Sequence, residues 1–135
     1  MKSWAVALLV IGMALAHRVV RADDEVSFTR DIVPIFKRNC VACHLTGTEA
    51  GGLSLQPRAA FRFLVGVPSG ESKLLRVKPG SPQESYLVHK LAGTQAQVGG
   101  SGERMPLGND PLADAQLTLI RTWISQGAKQ DEAAP

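Results

Sequence analysis

The sequence predicts a small all-α domain, and three observations carry that prediction. Its 135 residues suit one domain. Apolar residues recur at helical spacing in residues 28–38 and again in 113–126, near the two ends of the chain. Between them lie shorter helical patterns separated by proline and glycine turns, with room for short strands as minor elements.

The first 22 residues have the pattern of an export signal. Lys2 precedes an apolar run over residues 4–16, and residues 20–22 (Val-Arg-Ala) have small side chains at the first and third positions. The run is shorter than the about 20 residues that span a bilayer. We expect residues 1–22 to be a cleaved signal peptide and residues 23–135 to be the mature domain, the alternative being an uncleaved N-terminal membrane anchor.

Removing this signal changes the charge balance. The chain has 15 basic and 12 acidic residues, and three of the basic ones, Lys2, Arg18 and Arg21, lie in the predicted signal with no acidic residue. Fifteen minus three leaves twelve residues of each sign in the mature domain. A net charge of zero gives no basis for nucleic-acid binding.

The first mature helix is predicted over residues 28–38. Ser27 or Thr29 is a suitable cap, and Pro34 predicts a late start or a bend. The apolar stripe of this helix consists of Phe28, Ile32, Ile35 and Phe36.

The middle of the chain predicts shorter elements. Residues 51–55 alternate after a turn, which suggests a short strand, and residues 57–65 suggest a short helix that Gly66 ends. Residues 67–72 have turn chemistry, and residues 73–78 are expected to be extended.

The second half of the chain predicts two helices with a loop between them. Residues 81–84 (Ser-Pro-Gln-Glu) resemble a capping box for a helix that runs to Ala92 and stops at Gly93. Residues 94–104 are polar and rich in glycine, which predicts a mobile loop. The last helix, residues 113–126, has an apolar stripe of Leu117, Ile120 and Ile124 with Trp123 on its flank.

The two cysteines of the chain, Cys40 and Cys43, are followed directly by His44. This Cys-x-x-Cys-His pattern is typical of covalent c-type haem attachment. On a helical turn, positions three apart face the same way, so both thiols can form thioether bonds along one edge of the macrocycle. The next residue, His44, can then provide an axial ligand to the iron.

Other uses of two thiols are less well supported. Structural zinc and iron–sulfur sites need about four ligands, and His89 is the one other histidine of the mature domain. A thioredoxin-type pair usually lies in a βαβ pattern, which is absent around Cys40. A disulfide between Cys40 and Cys43 is chemically possible but closes a very small loop.

The second axial ligand has three kinds of candidate: Met105, His89 and a lysine. Met105 is the one methionine outside the predicted signal, and Pro106 favours an extended backbone at Met105. Its glycine-rich surroundings are poorly suited to a core helix, so a ligand role is favoured for Met105 over a packing role in the core. His89 lies mid-helix and is expected at the surface. Lys37, Arg38 and Arg104 flank these residues and are either a docking edge or ordinary solvated charges.

The order of motifs resembles the planctomycete-type cytochrome c family, within the class I cytochrome c superfamily, over residues 26–128. The motifs that carry this resemblance are FTRDIVPIFKR, CVACH, GGLSL, VKPGSPQESYL, RMPLG and LIRTWISQGA. The resemblance implies a helical domain around one haem, with covalent bonds to Cys40 and Cys43 and with His44 and Met105 as the axial ligands. It also implies that the N- and C-terminal helices cross, with Ile32, Ile35 and Phe36 meeting Ile120, Trp123 and Ile124.

The expected function is therefore single-electron transfer by a monohaem c-type cytochrome rather than enzymatic catalysis. Its expected partners are soluble or membrane-bound redox proteins, with no nucleic acid and no small-molecule substrate, and the mature protein is expected to be soluble and periplasmic. One alternative is a gas-binding, sensing or peroxidase-like haem protein in which Met105 is easily displaced. Another is a haemless redox pair formed by Cys40 and Cys43.

Overall fold

The structure, a computed structural model, describes residues 25–131, so the predicted signal peptide lies outside the described residues. Within this range there are four α-helices: α1 (Val33–Asn39), α2 (Ala60–Leu64), α3 (Tyr86–Ala92) and α4 (Asp114–Ser125). Over residues 25–131, no helix has the length and apolar character needed to cross a membrane. The all-α prediction is confirmed for the part of the chain that the structure describes.

The first predicted helix forms in two parts. A π-helical segment, Phe28–Ile32, leads directly into α1, and Pro34 occupies the first turn of α1, where proline is tolerated. Of the two predicted cap candidates, Ser27 is the one that caps this segment, because its side chain accepts a hydrogen bond from the Arg30 amide.

The core forms where the N-terminal segment packs against α4. The contact with α4 is made mainly by the π-helical segment, and the rings of Phe28 and Trp123 lie 5.1 Å apart between centroids. The residues predicted to meet across the two helices all belong to one buried cluster: Ile32, Ile35, Phe36, Ile120, Trp123 and Ile124. Hydrogen bonds from Val26 to Gln126 and from Thr29 to Asp131 also join the two ends.

The middle of the chain departs from two predictions. No strand forms within the described range, where the pairing is limited to isolated bridges such as Val65 with Val77; residues 51–55 do not form the predicted strand. The predicted capping box is also wrong, because the Ser81 side chain caps no helix amide and Glu84 pairs instead with Lys78 at 2.7 Å.

The helix predicted over residues 82–92 is split at Ser85. A 3₁₀ turn, Pro82–Glu84, precedes an extended Ser85, and α3 starts only at Tyr86. The buried Ser85 hydroxyl accepts from the Lys78 amide and donates to the Ser81 carbonyl, both at 2.9 Å. These two bonds hold the break, and Gly93, in the left-handed conformation, ends α3 as predicted.

Residues 94–104, predicted as a mobile loop, are instead tied to the fold. Gln95–Val98 form a 3₁₀ turn. The Gln95 carbonyl accepts from the Gly100 amide, and the Gln95 side chain donates to the Gly102 carbonyl, both at 2.8 Å. The glycines of this segment therefore belong to a folded connection that leads to Met105.

Candidate functional site

One cleft contains all four residues that the sequence predicts as haem-binding: Cys40, Cys43, His44 and Met105. It encloses about 230 Å³, and its remaining lining is largely apolar. The walls come from the turn after α1, from α2 and α3, and from residues 105–109. Residues 61 positions apart in the chain are thus brought to one cavity.

The cysteine-bearing segment is a helical turn that continues α1. The Cys40 amide donates to the Phe36 carbonyl, so the turn starts on the last turn of α1. The Cys40 carbonyl then accepts from the amides of both Cys43 (3.1 Å) and His44 (3.0 Å). This turn places both thiols and the imidazole at the same cavity, and the two thiols are not joined as a disulfide.

The Cys40 thiol lies in an environment that disfavours the thiolate. Burial, and secondarily the neighbouring Cys43, raise its pKa to about 11. Reactive cysteines in redox pairs have the opposite property, a pKa lowered by positive charge or a helix N-terminus. Cys40 is therefore poorly suited to be the attacking thiol of a redox couple at neutral pH.

His44 is half-buried in the cleft wall and is kept neutral. Its pKa lies below the ordinary value because burial disfavours the imidazolium; the Glu49 carboxylate and the Leu53 carbonyl act in the opposite direction. Its Nδ1 is buried without a hydrogen-bond partner of ordinary geometry, although the Leu53 carbonyl is near enough to act on the ring. A neutral imidazole is the form that binds a metal.

Residues 54 and 55 fold back and form hydrogen bonds with the backbone at His44 and Leu45. The Leu55 amide donates to the His44 carbonyl at 2.8 Å, and the buried Ser54 hydroxyl donates to the Leu45 carbonyl at 2.7 Å. Leu45 itself is exposed. These two bonds fix the two successive backbone carbonyls at His44 and Leu45, so the imidazole projects from a rigid backbone.

Met105 is half-buried against the core and lines the same cleft. Its amide donates to the Lys90 carbonyl at 3.0 Å, which anchors it to α3, and the Met105–Pro106 peptide bond is cis. Among residues 25–131, Met105 carries the one sulfur besides those of the two cysteines that lines the cleft.

His89, the competing ligand candidate, does not line the cleft. Its Nδ1 lies 2.9 Å from the Thr94 hydroxyl and its Nε2 lies 2.9 Å from the Gln83 carbonyl. Both ring nitrogens therefore have protein partners, and His89 serves to join α3 to its two flanking turns.

Sequence reasoning did not place four ionisable residues in the cleft wall: Glu71, Arg76, Tyr86 and Lys90. Arg76 donates to the carbonyls of Phe63, Gly51 and Gly52, and within residues 25–131 no acidic side chain lies within ion-pair distance of it. Burial lowers its pKa. The spacing of Tyr86 and Lys90, four apart on one helix, is the signal that would have placed them on one face.

The predicted docking charges differ in their surroundings. Lys37 and Arg38 are exposed on the last turn of α1. Arg104 is half-buried, and its aliphatic stem lies against Gly93, where an added Cβ would come within 3.3 Å. The cleft rim also carries the exposed Leu107.

No group of three or more His, Cys, Asp and Glu side chains suited to a metal ion occurs in residues 25–131. The described part of the fold therefore does not assemble the ligand set that a structural zinc site requires. Comparisons of the chain with known protein families, with curated proteins and with solved structures returned no match. Function is therefore inferred from the chemistry of the cleft.

Proposed function

We propose that this protein is a monohaem c-type cytochrome that carries single electrons between redox proteins. The observation that supports this most is the convergence of Cys40, Cys43, His44 and Met105 on one largely apolar cleft. Two thiols, a neutral imidazole and a thioether are the groups needed to tether a haem and to complete its axial coordination.

The donor residues fit this cofactor. Cys40 and Cys43, on one helical turn, would hold it through thioether bonds, and the desolvated Cys40 thiol is suited to that use rather than to thiolate chemistry. His44 would be one axial ligand and Met105 the other. The nearby Leu53 carbonyl is the group that could orient the imidazole, as outer-shell carbonyls do for metal-bound histidines.

The cationic side chains of the wall suit the carboxylates of a porphyrin. Arg76 has a guanidinium that is fixed by three backbone carbonyls and has no acidic partner within ion-pair distance in the described residues. A fixed guanidinium is a strong donor to carboxylates. Arg76 is therefore the residue that we expect to receive one of them.

The bound haem would supply a one-electron iron couple, and histidine with a thioether favours the reduced iron. The protein's part would be to hold the haem through Cys40, Cys43, His44 and Met105 and to exclude water from most of the cavity. The enclosed volume of about 230 Å³ lies below the ~300–1,000 Å³ typical of small-molecule pockets. A group of haem size would therefore remain partly exposed at the rim, where Leu107 is also exposed.

Exposed edges of this kind suit brief contacts with other proteins, which bury little surface. We propose soluble or membrane-bound redox proteins as partners, and the periplasm as the compartment, on the basis of the signal predicted over residues 1–22. The alternative gas-binding or peroxidase-like function needs a readily displaced Met105, which its backbone bond to Lys90 opposes. The haemless redox pair is opposed by the raised pKa of Cys40.

The test is expression of the full chain in a host that exports proteins and attaches haem c. We expect covalent haem that survives denaturing electrophoresis, and its loss in the double variant Cys40→Ser, Cys43→Ser. Ferric wild-type protein should show the weak long-wavelength band of thioether-bound iron.

The variant Met105→Ala separates the candidate functions. It should keep covalent haem, lose the long-wavelength band and bind carbon monoxide readily when reduced. Wild-type protein without covalent haem would exclude the proposed function, and rapid carbon monoxide binding by reduced wild-type protein would favour the gas-binding alternative.

A further inference from the structure

Lys90 is a buried lysine in the cleft wall. Its side chain is only 11% exposed, although it lies on the short helix α3. Burial of an ammonium group is costly unless its hydrogen bonds are made within the protein. The hydrogen-bond partners of Lys90 therefore show which parts of the fold its buried ammonium holds together.

The Lys90 ammonium joins two segments outside its own helix. Its Nζ lies 2.8 Å from Glu71 Oε2 and 2.7 Å from the Ser101 carbonyl, and it lies 5.9 Å from the centre of the Tyr86 ring. The Tyr86 hydroxyl donates to the same Glu71 oxygen at 2.9 Å. Glu71, Tyr86 and Lys90 thus form one connected polar cluster at the cleft.

The same lysine also holds the backbone at Met105. The Lys90 carbonyl accepts from the Met105 amide at 3.0 Å, while its side chain holds Ser101. Residues 99–105, named here the Met105 segment, are therefore attached to Lys90 near both ends. Gln95 adds a third attachment through its hydrogen bond to the Gly102 carbonyl.

The glycines of the Met105 segment reflect this close approach. A Cβ added at Gly100 would lie 2.5 Å from the Tyr86 ring, and one added at Gly102 would lie 3.2 Å from Lys90 Nζ. Glycine is thus required at Gly100 because the backbone lies against a buried ring. Close packing therefore accounts for the glycines at positions 100 and 102, whereas Gly99 has a positive φ and no atom near the position of a Cβ.

We propose that Lys90 is a positioning residue that holds the Met105 segment against the cleft and makes Met105 difficult to displace. This inference rests on the proposed function for the role of Met105 as an axial ligand. It goes beyond it by assigning the stability of that ligation to a residue whose ammonium is bound by Glu71 and by the Ser101 carbonyl.

The test compares Lys90→Leu with Lys78→Leu in the full-length protein carrying haem. Leucine keeps an apolar side chain in place of the lysine stem, removes the ammonium and adds no sulfur that could bind iron. Lys78 is a matched control because it forms an ion pair of similar length, 2.7 Å, with Glu84, but on the exposed surface. The two measurements are the binding of added imidazole to the ferric protein and the hydrogen exchange of the Met105 amide.

For Lys90→Leu we expect imidazole to bind at least about tenfold more tightly and the Met105 amide to exchange at least about tenfold faster, because charge-assisted hydrogen bonds are lost. Amides of α4 should keep their exchange rates, and Lys78→Leu should match wild type in both measurements. Unchanged exchange at Met105 would overturn the proposal. So would faster exchange with unchanged imidazole binding, since Lys90 would then have a structural role alone.

A second variant protects the test against misfolding. Glu71→Gln removes the charge of the partially exposed partner and keeps the lysine, and we expect a change of about two- to threefold in the same direction in both measurements. If Lys90→Leu does not fold, a wild-type result for Glu71→Gln overturns the proposal.

Wild-type protein without covalent haem would overturn the proposed function, and with it the ligand role of Met105. The exchange comparison would still decide whether Lys90 holds the segment. The failure of one proposal is therefore distinguishable from the failure of the other.

Discussion

Around Trp123 the protein is held together by apolar packing, whereas around Lys90 it is held together by polar contacts. Trp123 is 1% exposed and packs on Phe28, and its indole N–H donates to the Lys129 carbonyl at 2.9 Å. Lys90 joins Glu71 to the Ser101 carbonyl through single hydrogen bonds. We call the region around Trp123 the packed side and the region around Lys90 the cleft side. Substitutions on the packed side are costly when they change the volume of a buried side chain, and substitutions on the cleft side are costly when they break a hydrogen bond.

The difference matters because the cleft side carries the candidate site. Apolar burial is non-directional and scales with area, so it gives stability without fixing one atom precisely. Hydrogen bonds fix direction, and they attach the turn at His44 and the segment at Met105. We infer that the packed side supplies most of the folding free energy and that the cleft side fixes the positions of His44 and Met105, the two candidate ligands.

The largest expected effect is on the packed side. Trp123→Ala should lower the free energy of unfolding by about 3–5 kcal/mol, because it removes a large buried side chain and leaves a cavity. Urea unfolding followed by circular dichroism measures this change. The control is Leu119→Ala on the same helix, where the side chain is 37% exposed and the change should stay within about 1 kcal/mol. Similar losses in both variants would contradict a core centred on Trp123.

A medium effect is expected on the cleft side. Gly100→Ala should destabilise the protein by about 1–3 kcal/mol, because the new Cβ would lie 2.5 Å from the Tyr86 ring and 2.9 Å from the Gln95 carbonyl. It should also weaken the hold on Met105 and so make added imidazole bind more tightly.

Gly70→Ala is the matched control for Gly100→Ala. Gly70 also lines the cleft, but a Cβ there meets nothing within 4 Å, and its backbone is not in the left-handed region. We expect no loss of stability, and up to about 1 kcal/mol of gain from reduced freedom of the unfolded chain. Equal costs at the two glycines would show that the Met105 segment is not closely packed.

The packed side was largely predictable from the sequence. The apolar stripes of residues 28–38 and 113–126 gave the correct helices and the correct buried partners, because helical periodicity is a local property. Gly93 was likewise identified as a helix stop from its local chemistry. The placement of Cys40, Cys43, His44 and Met105 at one cleft also agrees with the sequence motifs, while haem binding stays a prediction.

The polar contacts of the cleft side were not predictable in the same way. The break at Ser85 depends on hydrogen bonds to Lys78 and Ser81, which local propensity does not register. The segment before Met105 resembles a mobile loop in composition, yet it is ordered by Gln95 and Lys90. In both cases the deciding partner comes from another part of the fold, and a single sequence does not show which residues meet there.

The smallest effect, absent at neutral pH, is expected at Tyr86, the one tyrosine of the chain. Burial, and then the hydrogen bond to Glu71, raise its pKa to about 12 from 10.0. Because the folded pKa is raised, Tyr86 contributes stability that is fully present below pH 10 and is lost as the pH rises toward 12. An NMR titration of the Tyr86 ring resonances measures the folded pKa directly.

Glu71→Gln sharpens this last comparison. It removes the negative charge beside the Tyr86 hydroxyl but leaves the ring buried, so the pKa should fall while staying above 10. If Tyr86 of the unmodified protein titrates near pH 10, the cluster of Glu71, Tyr86 and Lys90 is open to water. The polar contacts would then be too weak to position Met105, and the contrast between a packed side and a hydrogen-bonded side would fail at the cleft.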